Sequence, residues 1–95
     1  MYGLKESLIQ EVQALAEKHH IHTVTLFGSR ARGDYKSRSD IDLAVHGGDF
    51  DRFAIDLDEE TSTLLKYDIV NLDRPVQQEL LRSIQKEGRL VYEKV

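Results

Sequence analysis

The sequence predicts a small mixed α/β domain: a short mixed β-sheet with helices packed on one face. Three observations carry that expectation. Apolar residues recur at helical spacing near both ends of the chain, and short β-branched runs lie between them. Glycine, proline and clustered polar residues punctuate the junctions. The resulting order is α-β-(turn)-β-α-β-α-β, a single domain over residues 1–95.

Each element has its own signal. Leu4, Leu8, Ile9, Val12, Leu15 and Ala16 recur three to five apart, predicting an amphipathic helix over residues 3–19. His22 to Phe27 is β-branched and aromatic, a strand that stops at Gly28. Ser29 to Arg32 suits a short helical turn closed by Gly33, and Asp34 to Ser39 a polar loop. Asp40 to Val45 reads as the second strand. Ile41, Leu43 and Val45 point into the core there, with Asp40, Asp42 and Ala44 on the other face. Residues 46–49 form a turn. Phe50, Phe53, Ala54, Leu57 and Leu64 then suggest a second helix, against the acidic run Asp56 to Glu60. Lys66 to Leu72 is a third strand carrying Asp68. Pro75 suits a first helical turn, Val76, Leu80, Leu81 and Ile84 define a third helix, and Gly88 suits its C-terminal cap. Leu90 to Val95 is a short terminal strand.

Bulk properties narrow the function. A chain of 95 residues leaves no room for a separate substrate domain. Net charge is −4, so no overall basic field draws in a nucleic-acid backbone, and a nucleic-acid partner is not expected. Local positive charge exists all the same: Arg30, Arg32, Lys36 and Arg38 fall close together. Cysteine is absent, which removes disulfides, thiolate zinc sites and thiol nucleophiles. No apolar run is long enough to cross a bilayer and no signal-peptide pattern opens the chain, so a cytoplasmic protein is expected.

The chemistry concentrates in Gly28-Ser29-Arg30-Ala31-Arg32-Gly33, in Ser39-Asp40-Ile41-Asp42-Leu43, and in Asp68. The glycine turn offers backbone N–H groups, a hydroxyl and two guanidinium groups to phosphate. Asp40 and Asp42 share one strand face, with Cα atoms roughly 6.5–7 Å apart. Like charges at that range repel, and Mg²⁺ resolves the conflict by taking carboxylates together with phosphate oxygens. With two ions, one serves the attacking hydroxyl and the other the triphosphate. Asp68 completes the set as a third ligand or as the base for the hydroxyl proton. The combination reads as metal-dependent nucleotidyl transfer.

Plainer readings exist for each part. Asp40 and Asp42 fit an ordinary exposed strand face, and Ser29 a simple N-cap. Arg30 and Arg32 fit solvated surface charges, and Asp68 a capping carboxylate. His19, His20 and His22 lack a cysteine and a fourth ligand for zinc, and they sit at a helix C-terminus. Tyr2, Tyr35, Tyr67 and Tyr92 are scattered rather than forming a stacking platform; Tyr35, between the two motifs, lines the nucleotide pocket or is exposed.

Gly-Ser, a short gap, Asp-x-Asp on a strand and a later Asp together resemble the DNA polymerase β-like nucleotidyltransferase superfamily. Residues 28–33 and 39–45 are similar to the minimal nucleotidyltransferases, the MntA-like antitoxins. Tyr67 to Leu72 and the closing Ile84…Gly88-Arg89-Leu90-Val91-Tyr92 extend the likeness over nearly the whole chain. The resemblance implies the polymerase β palm-like fold. It implies phosphate contacts from Ser29 and Arg32, beside those the glycine turn already offers through Gly28 and Arg30, with Asp40 and Asp42 as catalytic metal ligands and Asp68 as the third acidic residue of the site. It further implies ATP as substrate and a HEPN-domain toxin encoded nearby as partner, with the Mg²⁺ cofactor already expected from the carboxylates; a homo- or a hetero-oligomer is left open. The implied reaction moves AMP onto a tyrosine of that toxin. Two other readings stand beside it: an antitoxin that neutralises by contact alone, and transfer to a small-molecule acceptor.

Overall fold

The structure, a computed structural model, describes residues 1–95. Its elements run α1 (Glu6–Lys18), β1 (Thr23–Phe27), α2 (Gly28–Arg32), β2 (Ile41–His46), α3 (Phe50–Glu60), β3 (Tyr67–Asn71), α4 (Gln78–Glu87) and β4 (Arg89–Glu93). The four strands form one mixed sheet in the order β3-β2-β1-β4. β1 is antiparallel to both β2 and β4, while β2 and β3 run parallel through the crossover helix α3.

The predicted element order holds, with local differences. Tyr2 and Gly3 take positive φ, so α1 begins at Glu6 and not at residue 3. The acidic run joins α3, which Asp49 starts by accepting a hydrogen bond from the Arg52 N–H. Leu64 lies outside that helix and is wholly exposed. Pro75 and Val76 precede α4 instead of entering its first turn. Gly88 does receive the end of α4, its N–H donating to Ile84 O, but with φ of −61°. Crowding accounts for that glycine: a Cβ would lie 2.6 Å from Thr25 Cγ2.

Alternation along the strands builds two cores. Val24, Leu26, Ile41, Leu43 and Val45 face α1 and α3, whose Leu8, Val12, Leu15, Phe53 and Leu57 are buried against them. The other face carries Phe27 and Ala44, covered by Ile84 and Leu80 of α4, with Val70 and Leu72 alongside. The expectation of all helices on one face is therefore corrected for α4. Ala44 and Val70 make this second face apolar enough to bury a helix, and Leu80 and Ile84, one turn apart, present the matching stripe. Beyond Ala44 the same face of β2 continues to Asp42, and the end of α4 reaches α2 through Glu87 and Arg32.

Candidate active site

Parallel pairing sets Asp42 of β2 directly opposite Asp68 of β3, on strands separated by about 4.8 Å. Asp40 lies two residues earlier, just ahead of β2. Asp42 is half-buried, whereas Asp40 and Asp68 are exposed. None of the chain's ion pairs involves any of the three. The cost of this arrangement falls on Asp42, whose carboxyl is pushed up to about 6. Burial is the largest cause, followed by the charges of Asp68 and Asp40, with Arg32 acting in the opposite sense.

These are hard oxygen donors whose mutual repulsion a divalent cation relieves, so the donor chemistry fits Mg²⁺. Their side chains are not drawn together: no group of three acidic or histidine side chains is gathered closely enough to hold an ion. Strand register fixes the backbones, and the carboxylates must rotate toward one another to ligate.

The glycine turn abuts this cluster. β1 ends at Phe27, the partner of Asp42, and the next residue turns with φ of +74°. A Cβ on Gly28 would collide with Asp42 Oδ2. α2 starts at Gly28 with no side chain capping it, so Ser29 is not its N-cap. The first N–H groups of such a turn have no intrahelical acceptor. The Ser29 carbonyl accepts from the N–H groups of both Gly33 and Asp34, closing the turn at its other end.

The two arginines part ways. Arg30, expected at the nucleotide, is instead buried, with 1% exposure. Its Nε and Nη2 donate to Ser39 O at 3.1 and 3.0 Å, Nη2 also to Ser37 O, and Nη1 to Tyr2 O at 3.0 Å. Tyr35 packs over the guanidinium, its ring centroid 5.1 Å from Arg30 Cζ. Every guanidinium nitrogen is thus committed to backbone, and Arg30 holds the 34–39 loop that delivers Asp40. Arg32 is exposed and reaches Asp34 Oδ2 at 3.2 Å and Glu87 Oε2 at 3.0 Å. Those two carboxylates, Asp34 first, raise its pKa.

Two features escaped sequence reasoning. Glu87, at the end of α4, approaches Arg32 only because α4 crosses the second face, and nothing in its local sequence signals this. Two of the four histidines pair with carboxylates instead: His19 Nε2 meets Asp56 Oδ2 at 2.6 Å, and His46 pairs with Asp73, which also accepts from the Gly47 N–H.

Over residues 10–95 the chain matches the family described as "Polymerase beta, Nucleotidyltransferase". It is 41% identical to a Methanocaldococcus jannaschii protein named as a candidate protein adenylyltransferase, over 93% of this chain and 98% of that relative. Among solved structures it resembles a toxin–antitoxin with AMP-PNP, at a TM-score of 0.72 and 21% identity, over 90% of this chain and 73% of that one. It also resembles a mutant of the toxin–antitoxin MntA–HpeT, at 0.71 and 19% over the same shares. A third likeness is to a Shewanella oneidensis structure, at 0.69 and 14%, over 96% of this chain and 74% of that one. At those identities the structural likeness is one of fold.

Fold and family together make this protein a nucleotidyltransferase of the mixed-sheet, polymerase β-like class. The chain belongs to the Polymerase beta nucleotidyltransferase family, and its structural neighbours include MntA toxin–antitoxin proteins. No helix is long and apolar enough to cross a membrane.

Proposed function

We propose that this chain transfers AMP from ATP to a tyrosine hydroxyl on a partner protein, a HEPN-domain toxin, and so acts as an antitoxin. The observation that carries the chemistry is the pairing of Asp42 with Asp68, beside Asp40 and against the Gly28–Ser29 turn. The M. jannaschii relative's name and the toxin–antitoxin neighbours support a protein acceptor.

In this reading Ser29 and the first N–H groups of α2 receive the triphosphate, and Arg32 exchanges Glu87 for phosphate oxygens. Asp40, Asp42 and Asp68 hold Mg²⁺, which when bound neutralises triphosphate charge and lowers the cost of ionising a hydroxyl. Asp68 takes the tyrosine proton as the phenolic oxygen bonds to the α-phosphorus. The bond from that phosphorus to pyrophosphate breaks, and pyrophosphate leaves with its electron pair. Gly28 holds Asp42 against the phosphate turn, so nucleotide and carboxylates share one frame.

The test mixes purified protein, ATP, Mg²⁺ and the product of the adjacent gene, followed by mass spectrometry of the partner. An added AMP on tyrosine that disappears with Asp68→Asn is the expected result, with ATP binding largely retained in that variant. Full neutralisation of the partner by Asp68→Asn with no adduct would instead make contact alone the antitoxin mechanism.

A further inference from the structure

The sheet order puts β3 on the far side of β2 from β1, so one edge of the site lies opposite the Gly28–Ser29 turn. On that edge the segments leading into β2 and β3 are joined by the Ile41 N–H, which donates to Lys66 O at 2.8 Å. Between them opens a groove of about 550 Å³ lined by Arg38, Asp40, Leu64, Leu65 and Lys66. Neither Arg38 nor Lys66 takes part in an ion pair, although the chain carries 17 acidic residues. Leu64, wholly exposed, lines the same groove. A single exposed leucine is ordinary. An exposed leucine that shares a groove with two cations outside any ion pair and with a candidate catalytic carboxylate offers a surface for recognition.

We propose that this groove seats the acceptor protein's hydroxyl-bearing segment. An apolar side chain lies against Leu64 and Leu65, and an acidic residue lies between Arg38 and Lys66. The inference rests on the protein-acceptor reading above and adds to it where the acceptor binds and what sequence it prefers. Asp40 makes the groove continuous with the carboxylates. The phosphate turn stands across β2, so acceptor and nucleotide approach from opposite sides, as an in-line displacement at phosphorus requires. Nucleic acid fits the groove poorly: no aromatic side chain lines it for base stacking, and the net charge of −4 repels a polyanion.

The experiment uses two fluorescent tyrosine peptides, one with Asp and Leu flanking the tyrosine and one with Lys in place of Asp. Binding to the full chain is read by anisotropy for wild type, for the double variant Arg38→Glu/Lys66→Glu, and for Leu64→Ser. All three positions are exposed, so the fold should tolerate the changes. Wild type should bind the acidic peptide about five- to tenfold more tightly than the basic one, as two exposed charge pairs allow. The double variant should invert that preference, and Leu64→Ser should weaken both peptides, with ATP affinity by calorimetry unchanged throughout. Equal affinity for the two peptides would overturn the proposal, as would a preference that survives charge reversal. Loss of ATP binding in the double variant would assign the groove to the nucleotide. Tighter binding of a single-stranded oligonucleotide than of the acidic peptide would likewise overturn it. Charge-dependent peptide binding without AMP on tyrosine would refute the transfer reaction and leave the groove. Tyrosine labelling of the partner indifferent to Arg38 and Lys66 would refute the groove and leave the reaction.

Discussion

Gly28 packs its α-carbon against the carboxylate of Asp42, so closely that a Cβ there would stand only 3.0 Å from Asp42 Cγ and would overlap Oδ2. The contact follows from register: Asp42 pairs with Phe27, and the residue after Phe27 must turn across it. Gly28 also sits at φ +74°, where a side chain adds strain. Gly28→Ala should therefore cost about 1–3 kcal/mol of stability and displace Asp42. Urea denaturation reads the first effect, and AMP transfer, expected to fall at least about tenfold, reads the second. A variant with wild-type stability and transfer would show that the turn adapts.

Arg30 should behave as a structural residue. Its guanidinium satisfies carbonyls from three residues in a buried position, and no other side chain supplies that fork. Arg30→Ala should destabilise by about 3 kcal/mol or more, and Arg30→Lys should recover only part of it. Arg32→Ala, by contrast, should melt close to wild type, since its ion pairs are exposed. Parallel chemical melts of the three variants separate the two roles.

Arg32 and Glu87 should move nucleotide binding in opposite directions. Arg32→Ala should weaken ATP by about tenfold while leaving adenosine unaffected, because the lost contacts are charge-assisted bonds to phosphate. Glu87→Gln frees Arg32 from a competing carboxylate and should tighten ATP about two- to fivefold, the scale of an exposed ion pair. Calorimetric titration with both ligands checks this. An unaltered preference for ATP over adenosine in Arg32→Ala would remove Arg32 from the phosphate site.

Asp42 makes the fold pH-dependent in a direction unusual for a carboxylate. Its pKa is raised from 3.8 to about 6 by folding, so the native state favours the protonated form. That contribution to stability is fully present below about pH 4 and is lost as pH rises through about 6. The shift alone corresponds to about 3 kcal/mol, and the remaining solvent contact of the half-buried carboxylate brings the expected effect to about 1 kcal/mol. Asp42→Asn should therefore be the more stable protein at pH 7.5 and indistinguishable from wild type at pH 4. Thermal melts across that window test it, and saturating Mg²⁺ with ATP should narrow the difference by stabilising wild type alone.

Most of the fold was legible because its signals are local. A period of 3.6 marked Leu8, Val12 and Leu15 as one helix face, and a period of two sorted Ile41, Leu43 and Val45 from Asp42 and Ala44. Element ends were less legible, since Tyr2, Leu64 and Pro75 sit where turn geometry outweighs apolar spacing.

The sequence by itself determined the strands and the helices, consequences of side-chain period along a short stretch of backbone, although Asp40, expected to open the second strand, lies just ahead of it. Tertiary structure alone decided that β3 adjoins β2, which brings Asp68 opposite Asp42 across 26 residues of chain. It decided as well that α4 crosses the second face, bringing Glu87 to Arg32. Arg30 and Arg32 show the division most plainly. They stand two apart in one turn with the same chemistry, yet one is buried and the other open to solvent. Their fates diverge because the carbonyls of Tyr2, Ser37 and Ser39 converge on only one of them, and that convergence exists only once the chain has closed on itself.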